Sequence, residues 1–282
     1  MRILNFILAT LICGVVSAQD LKVMSYNIKY DNPSDTANNW ENRKAFLISQ
    51  LNYYDVDVIG TQEGLHHQLE DIKSVLKPYD YVGIGRDKGN TEGEYSAIFY
   101  NTDELMVVKQ GTFWLSPTPD KPSKGWDAAL NRICTYALFK DKDSDHSFWV
   151  FNTHFDHRGD VARLESSKLI LQKIKEVNKE NRAVVLTGDF NLTDNEKGIQ
   201  IITDQMLDTH TVAGDNAFGP KGTFNGFHFE KPVTEKIDYV FISENGFKVL
   251  KSGILSDSQN CKYPSDHFPV LVDLDFDSQE VN

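Results

Sequence analysis

A short apolar run followed by a polar turn constrains this chain more than any other feature. Residues 184–187 are Val-Val-Leu-Thr, which predicts a buried strand, and Gly188 ends it. Asp189 and Asn191 follow on the turn, two residues apart. A carboxylate and an amide that follow the end of the same strand suit a site that binds a metal ion, a water molecule and a phosphate oxygen. The same pattern is also typical of an Asx turn that caps the next element, so the run alone leaves both interpretations open.

Similar polar groups lie at the ends of five further strand-like segments. They are Asn27, the Gln62-Glu63 pair, His154, Asp238 and the Asp266-His267 pair. Each has an ordinary structural explanation, such as a turn residue or a hydrogen-bonded buried histidine. Asp238 is the hardest to explain in that way, because it opens an apolar strand and a buried carboxylate without a partner is costly. One shared site is a simpler explanation than six independent coincidences.

The hydrophobic pattern predicts an α/β fold. The predicted strands cover 21–28, 56–61, 79–84, 95–100, 105–114, 133–139, 147–153, 183–186, 237–242, 247–254 and 268–276. The predicted helices cover 40–51, 65–76, 161–177 and 196–202. Strands with helices interspersed, several of them joined as hairpins, indicate mixed sheets covered by helices. The segments 116–130 and 208–236 are too long for simple connections, and we expect them to help form a site.

The first residues predict a signal peptide rather than part of the fold. Arg2 supplies a positive start, 4–16 is mostly apolar, and Val-Ser-Ala at 16–18 is a typical cleavage site. The apolar run is too short for a transmembrane helix, and Gly14 follows Cys13 instead of preceding it as a lipoprotein signal requires. We therefore expect cleavage before Gln19, export to the periplasm or the extracellular space, and one domain over residues 19–282.

The mature chain is acidic and has few cysteines. The net charge of the full chain is −12, and loss of Arg2 with the leader brings it to −13. Such a surface repels a polyphosphate chain unless basic residues cluster in the cleft. Cys134 lies in a strand-like run and Cys261 in a polar loop, so we expect unpaired thiols.

These pieces together resemble the endonuclease/exonuclease/phosphatase superfamily, also called DNase I-like. The resemblance runs in order from about residue 21 to residue 276, and the combination of motifs is specific although no single motif is. The motifs are the Asn27 strand, Gln62-Glu63, Thr153-His154, Gly188-Asp189-Phe190-Asn191, Ile237-Asp238-Tyr239-Val240 and Ser265-Asp266-His267. The resemblance implies a four-layer α/β sandwich, in which two mixed sheets pack face to face with helices outside. It also implies a site in a cleft at one edge of the sheets.

The resemblance implies a divalent metal ion as cofactor. Glu63 matches the principal ligand, with Asn27 beside it and Asp266 able to contribute to the shell. Oxygen donors of this kind suit Mg²⁺, and Mn²⁺ is the alternative. The ion would polarise the phosphoryl oxygen and steady the leaving oxygen.

The same resemblance implies roles for the other polar residues. Asp189 would orient or deprotonate the attacking water, and Asn191 would hydrogen-bond the phosphate. His267 matches the family's essential imidazole, with Asp238 orienting it and favouring its charged form. Whether His267 acts as a base or as a phosphate clamp stays open. His154 would contact the phosphate from the other side.

Three further residues are predicted to contact the substrate. Glu94 matches an acid that supports His154 in deoxyribonuclease-like members, and its alternative is a solvated hairpin residue. Arg132 matches a phosphate-binding arginine, because a guanidinium suits bidentate contact with an oxyanion. Trp126 either stacks on a sugar or base or anchors its loop in the core, and both interpretations stay open.

Three hypotheses about the substrate follow. The segments 85–89, 113–117 and 124–132 look like a bacterial branch nearer the deadenylase-like and sugar-phosphate phosphatase-like members than the abasic-site endonucleases. A phosphatase acting on a small phosphorylated metabolite, such as a sugar phosphate or nucleotide, agrees best with export and the lack of a broad basic stripe. A secreted nuclease, either an endonuclease or a 3′-5′ exonuclease, is the second hypothesis, and a noncatalytic phosphate- or carbohydrate-binding module is the third. No membrane-inserting hairpin is expected, and the oligomeric state has no signal in the sequence.

Overall fold

Two β-sheets form the centre of the fold in a computed structural model that describes residues 20–277. The strands are Asp20–Asn27 (β1), Val58–Gln62 (β2), Tyr79–Val82 (β3), Ser96–Asn101 (β4), Leu105–Trp114 (β5), Ile133–Asp141 (β6), Ser147–His154 (β7), Val184–Asp189 (β8), Leu207–Asp208 (β9), Ala217–Phe218 (β10), Asp238–Ile242 (β11), Phe247–Ile254 (β12) and Val270–Phe276 (β13). The helices are Trp40–Tyr54 (α1), His66–Val75 (α2), Asp160–Val177 (α3), Lys197–Thr203 (α4) and Thr209–Ala213 (α5), followed by a 3₁₀ turn at Gly214–Asn216.

Each sheet mixes parallel and antiparallel neighbours. One sheet has the order β10-β12-β13-β1-β2-β4-β3 and the other β5-β6-β7-β8-β11-β9. The parallel pairs β1/β2 and β7/β8 are joined by the crossover helices α1 and α3, and the short strand β10 also runs parallel to β12. This arrangement follows from the chain order, because parallel neighbours need a long connection that returns to the same end of the sheet.

Apolar side chains divide the molecule into four layers. A central core lies between the sheets, one outer core lies under α1 and α2, and another lies under α3 and α4. In β1, Val23 belongs to the central core and the next residue, Met24, to the outer one, because successive side chains of a strand point to opposite faces. The predicted four-layer α/β sandwich with helices outside is confirmed.

Asn152 of β7 links the two sheets through hydrogen bonds in the central layer. It is fully buried, and its amide nitrogen donates to the Thr61 and Ala97 carbonyls of the facing sheet, both at 2.8 Å. Its amide oxygen accepts from Gln62 Nε2 at 2.7 Å and from Thr187 Oγ1 at 3.0 Å. All four hydrogen-bonding positions of the side chain are therefore used.

The predicted strands and the four predicted helices are present, with ends that differ by a few residues. The last strand begins at Val270 instead of residue 268, because Pro269 has no N–H to donate to a ladder. The segment 208–236 contains α5 and β10, which are too short to produce a hydrophobic period.

Other predictions concern cysteines and membranes. Cys134 is buried, Cys261 is exposed, and neither forms a disulfide, as predicted. None of the helices between residues 20 and 277 is long and apolar enough to cross a membrane. The predicted signal peptide, residues 1–18, lies outside the described residues.

Candidate active site

The predicted polar residues meet at one edge of the two sheets. The parallel pairs β1/β2 and β7/β8 bring four strand ends to this edge. β11 runs antiparallel to β8 with Asp238 opposite Asp189, and β13 runs antiparallel to β1, so these two strands start at the same edge. A hydrogen bond of 2.9 Å from Asn27 Nδ2 to Asp189 Oδ2 joins the two sheets there.

His267 and Asp238 form a buried pair. His267 Nδ1 lies 2.9 Å from Asp238 Oδ2, and neither side chain is appreciably exposed. His267 Nε2 faces Asp189 Oδ2 at 3.8 Å. Burial lowers the pKa of His267, but the carboxylates of Asp238 and Asp189 outweigh it and raise the pKa well above the ordinary value. The imidazole is therefore cationic at neutral pH, which favours the phosphate-clamp interpretation over the general-base one.

Asp189 is a buried carboxylate held by two donors. Besides the Asn27 amide, the Asn191 backbone N–H donates to its Oδ1 at 3.0 Å. Burial, reinforced by the negative charge of Asp238, raises the pKa of Asp189. A carboxylate with a raised pKa is a better proton acceptor near neutral pH than an ordinary one.

Glu63 lies on a strained turn after β2. Its φ is 64°, in the left-handed region that non-glycine residues rarely adopt, and Asn191 has a φ of 49°. Glu63 Oε1 accepts from Asn27 Nδ2 at 3.1 Å and Oε2 from the Tyr30 N–H at 3.1 Å. Burial opposes ionisation, yet the Lys29 ammonium and these donors keep the pKa of Glu63 below its usual value. Strain of this kind is common at functional sites.

The acidic group fits a metal ion. Ligand atoms of Glu63, Asp189 and His267 lie within 4.8 Å of one another. A cationic imidazole is a poor ligand, so we favour Glu63 with Asp266 as the oxygen donors. Asp266 Oδ1 is buried and has no hydrogen-bond partner. The Lys29 ammonium, 3.4 Å from Glu63 Oε2 and 3.1 Å from Asp266 Oδ2, demonstrates that positive charge is accommodated between these carboxylates.

Asn27 faces the acidic group with its amide nitrogen. That nitrogen donates to both Glu63 and Asp189, while Oδ1 accepts from the backbone N–H of Lys29 at 3.0 Å. In this arrangement Asn27 holds two carboxylates together as a hydrogen-bond donor.

His154 and Arg132 form the opposite side of the site. His154 Nε2 lies 3.5 Å from Asp189 Oδ2, and its Nδ1 has no hydrogen-bond partner. Burial, together with the positive charge of Arg132, lowers the pKa of His154 well below its usual value, so the ring is neutral. Arg132 contacts Asp156 at 3.5 Å and His157 at 3.0 Å, but its buried Nη1 is also unpartnered. Both residues line the cavity, so this side of the site offers basic side chains with unused hydrogen-bonding capacity.

Glu94 pairs with Arg86 and not with His154. The two carboxylate oxygens accept from Arg86 at 2.6 and 2.8 Å. Burial raises the pKa of Glu94, and the guanidinium opposes that rise. Glu94 therefore reaches the site as one half of a buried ion pair, which also orients Arg86.

A cavity of about 800 Å³ opens over these groups. Its lining residues are Lys29, Tyr30, Glu63, Glu94, Leu130, Arg132, His154, His157, Asp189, Asn191, Thr193, Glu196, Phe224, Glu235, Ile237, Asp266 and His267. Both long segments contribute, as predicted, through Leu130, Phe224 and Glu235. Trp126 does not line the cavity; it is half-buried, with a φ of 46°.

Lys29, Arg43 and Phe224 are among the residues near the site that sequence reasoning did not single out. Lys29 lies two residues beyond a predicted ligand, which was a usable signal. Arg43 had no signal, because it donates to backbone carbonyls, among them that of Pro264 at 3.1 Å. The Phe224 ring stands edge-on to that of His267, with centroids 5.1 Å apart, and its segment is folded back onto β11 by a hydrogen bond from the Ile237 N–H to Thr223 Oγ1.

The four-layer sandwich and the buried acid–histidine group define a phosphoesterase of the DNase I-like class. The chain belongs to the endonuclease/exonuclease/phosphatase family, whose model matches residues 24–267.

Two solved structures from Bacteroides thetaiotaomicron are similar over nearly their whole length. One is described only as an endonuclease/exonuclease/phosphatase family protein; it is 42% identical, with a TM-score of 0.88 over 92% of this chain and 98% of that one. The other is a mannosyl-6-phosphatase, 42% identical, with a TM-score of 0.86 over 90% of this chain and 99% of that one. Nocturnin of Drosophila melanogaster is 23% identical over 92% of this chain, which spans 47% of that protein's length.

Proposed function

We propose that this protein is an exported, Mg²⁺-dependent phosphatase that removes phosphate from a small metabolite, with a sugar phosphate as the first choice. The observation that carries the proposal is the 42% identity to a mannosyl-6-phosphatase, over 99% of that chain. The acidic rim residues Glu196 and Glu235 support it, because carboxylates repel a polyanionic strand and accept hydrogen bonds from sugar hydroxyls.

Glu63 and Asp266 would hold the metal ion. When bound, Mg²⁺ neutralises charge on the phosphoryl group and stabilises the leaving oxygen. The buried Asn27 amide holds Glu63 and Asp189 together by donating to both. Arg43 keeps Pro264, and with it the following Asp266 turn, against the loop after β1.

Asp189 would accept a proton from the attacking water, since burial and Asp238 raise its proton affinity. The His267 cation would stabilise negative charge as it develops on the phosphoryl oxygens. Asp238 keeps that imidazole charged and oriented. His154, Arg132 and Asn191, which line the cavity on the other side, would hydrogen-bond the phosphate.

A nuclease is the second candidate. It is favoured by the similarity to Nocturnin and to the yeast protein named CCR4-Not complex 3′-5′-exoribonuclease subunit Ccr4, 21% identical over 84% of this chain. The chain spans 35% of the Ccr4 protein's length. A polymer substrate would have to pass the acidic rim, which is why the phosphatase is the first choice.

A release assay distinguishes the candidates. The purified protein, with Mg²⁺ or Mn²⁺, is offered mannose 6-phosphate, other sugar phosphates, nucleotides, single-stranded RNA and single-stranded DNA. We expect inorganic phosphate from the monoesters and intact polymers. Shortened polymers with no phosphate released from monoesters would refute the phosphatase.

Histidine variants test the site. His267→Ala should abolish turnover, whereas His146→Ala should retain it, because His146 lies on the β6–β7 hairpin and stacks on Phe276. Equal activities of the two variants would show that the acid–histidine group is not the active site.

Export is tested separately. Mass spectrometry of the protein from the culture medium and periplasm should give a mature chain that starts at Gln19. A chain that retains residues 1–18 in the cytoplasm would contradict export.

A further inference from the structure

A lysine ammonium lies between the two carboxylates that we propose as metal ligands. Lys29 Nζ is 3.4 Å from Glu63 Oε2 and 3.1 Å from Asp266 Oδ2. The side chains of Glu63 and Asp266 are 11% and 8% exposed, and that of Lys29 is 27% exposed. This is a partly buried ionic group, in which screening by water is weak and a counter-ion has a large effect.

The backbone around Lys29 is built to aim the side chain into this group. Its φ is 58°, in the left-handed region, which a lysine adopts only where its surroundings impose it. Its N–H donates to Asn27 Oδ1 at 3.0 Å, and its carbonyl accepts from Gln68 Nε2 at 2.9 Å and from Arg43 Nη2. The ammonium also lies 5.0 Å from the centroid of the Tyr30 ring.

The neighbouring cations are engaged elsewhere. Arg43 directs its Nη1 and Nε to the backbone carbonyls of Pro264 and Asn38. His267 forms its short contact with Asp238. In the described part of the chain, the salt bridges of Glu63 and Asp266 are those with Lys29. Lys29 is therefore the side chain that balances these two carboxylates directly.

We propose that Lys29 is a built-in counter-ion that competes with the divalent metal ion for Glu63 and Asp266. The inference rests on the metal assignment of the proposed function. An ammonium and a divalent ion repel each other, so the metal ion binds only when the ammonium gives up its place between the carboxylates. Lys29 thereby keeps the two acids together in the metal-free protein and lowers the affinity of the site for metal.

Direct metal titration tests this inference without any substrate. Mn²⁺ is titrated by calorimetry into the full mature chain, after removal of metal with a chelator, for wild type, Lys29→Met and Lys29→Arg. Lys251→Met is the matched control, since Lys251 pairs with Asp273 at 3.0 Å on β12 and β13, away from the site. We expect Lys29→Met to lower the Kd for Mn²⁺ by about tenfold or more, because no ammonium has to be displaced. Lys29→Arg and Lys251→Met should leave the Kd within about a factor of two of wild type.

Thermal unfolding supplies a second readout. The rise in Tm between chelator and saturating Mn²⁺ should be larger for Lys29→Met than for wild type, since tighter binding stabilises the native state more. The inference is overturned if Lys29→Met binds Mn²⁺ no more tightly than wild type, or if Lys29→Arg binds as tightly as Lys29→Met. Failure of wild type to release phosphate, with this pattern of Kd values intact, would refute the proposed phosphatase and leave the competition standing.

Discussion

Replacing Asn152 should weaken the packing of the two sheets against each other. The hydrogen bonds of its side chain give the expected loss in the free energy of unfolding. Asn152→Leu keeps the approximate size of the side chain and removes two donated and two accepted bonds of 2.7–3.0 Å. Thr187 Oγ1 retains a bond to the Phe151 carbonyl at 3.3 Å, and Gln62 Nε2 retains one to the Gly60 carbonyl at 3.1 Å. The buried Thr61 and Ala97 carbonyls lose the donor from the facing sheet.

Each buried hydrogen bond contributes about 1 kcal/mol, and less where the partner group retains a second hydrogen bond. We therefore expect the free energy of unfolding to fall by about 3 kcal/mol. Urea titration followed by tryptophan fluorescence and far-UV circular dichroism measures it. Two controls calibrate the result. Thr187→Val removes two bonds, one to Asn152 Oδ1 and a longer one to the Phe151 carbonyl, and should cost about 1–2 kcal/mol. Asn178→Leu removes two bonds to Arg182 at the end of α3, where Asn178 is half-buried, and should also cost about 1 kcal/mol.

A loss of less than about 1 kcal/mol in Asn152→Leu would refute the reasoning, because an amide with four buried bonds would then contribute no more than a half-buried helix cap. Gln62 and Thr187 adjoin the site through Glu63 and Asp189. We therefore also expect reduced turnover in this variant under conditions where it is still folded.

Three further predictions concern the site and the pH dependence of stability. Asp238→Asn should lower kcat about a thousandfold while the protein stays folded, because His267 loses the carboxylate that orients it; activity within tenfold of wild type would contradict this. A chelator should abolish activity, and Glu63→Gln should raise the Mn²⁺ concentration for half-maximal rate by about tenfold or more; turnover that survives chelation would rule out the metal assignment. Burial raises the pKa of Asp57 to about 6, so between about pH 4 and that value the native chain keeps a proton that the unfolded chain has released. Asp57 should therefore contribute about 1–2 kcal/mol to the fall in the free energy of unfolding as pH rises through this window, and Asp57→Asn should reduce the fall by that amount in urea titrations at both pH values.

Patterns along the chain predicted the elements well where they were long or strongly periodic. The run 184–187 is a buried strand, and the turn after it belongs to the site instead of being a simple cap. The two-residue strands β9 and β10 were missed, because two residues are too few to establish a period. β9 pairs with β11, and β10 pairs with β12. Each short strand comes next to its partner only after the sheet has formed.

Side-chain pairing was less predictable than residue type. Glu94 was expected beside His154, but Arg86 takes both of its oxygens. A single sequence does not reveal which of two nearby basic side chains pairs with a carboxylate, since bidentate geometry favours the arginine. Trp126 was a candidate for stacking, and the fold keeps it away from the cavity lining.

The chain itself carried the chemistry of the site: oxygen donors, imidazoles and an arginine at strand ends predicted phosphoester hydrolysis, and strand order brought them to one edge. Protonation was decided only by the tertiary structure. The same residue type is cationic at His267, where two carboxylates outweigh burial, and neutral at His154, where burial and the positive charge of Arg132 both lower the pKa. The competition we propose at Lys29 also arises only in three dimensions, because an ammonium and two carboxylates from distant segments meet in one buried place where water screens them weakly.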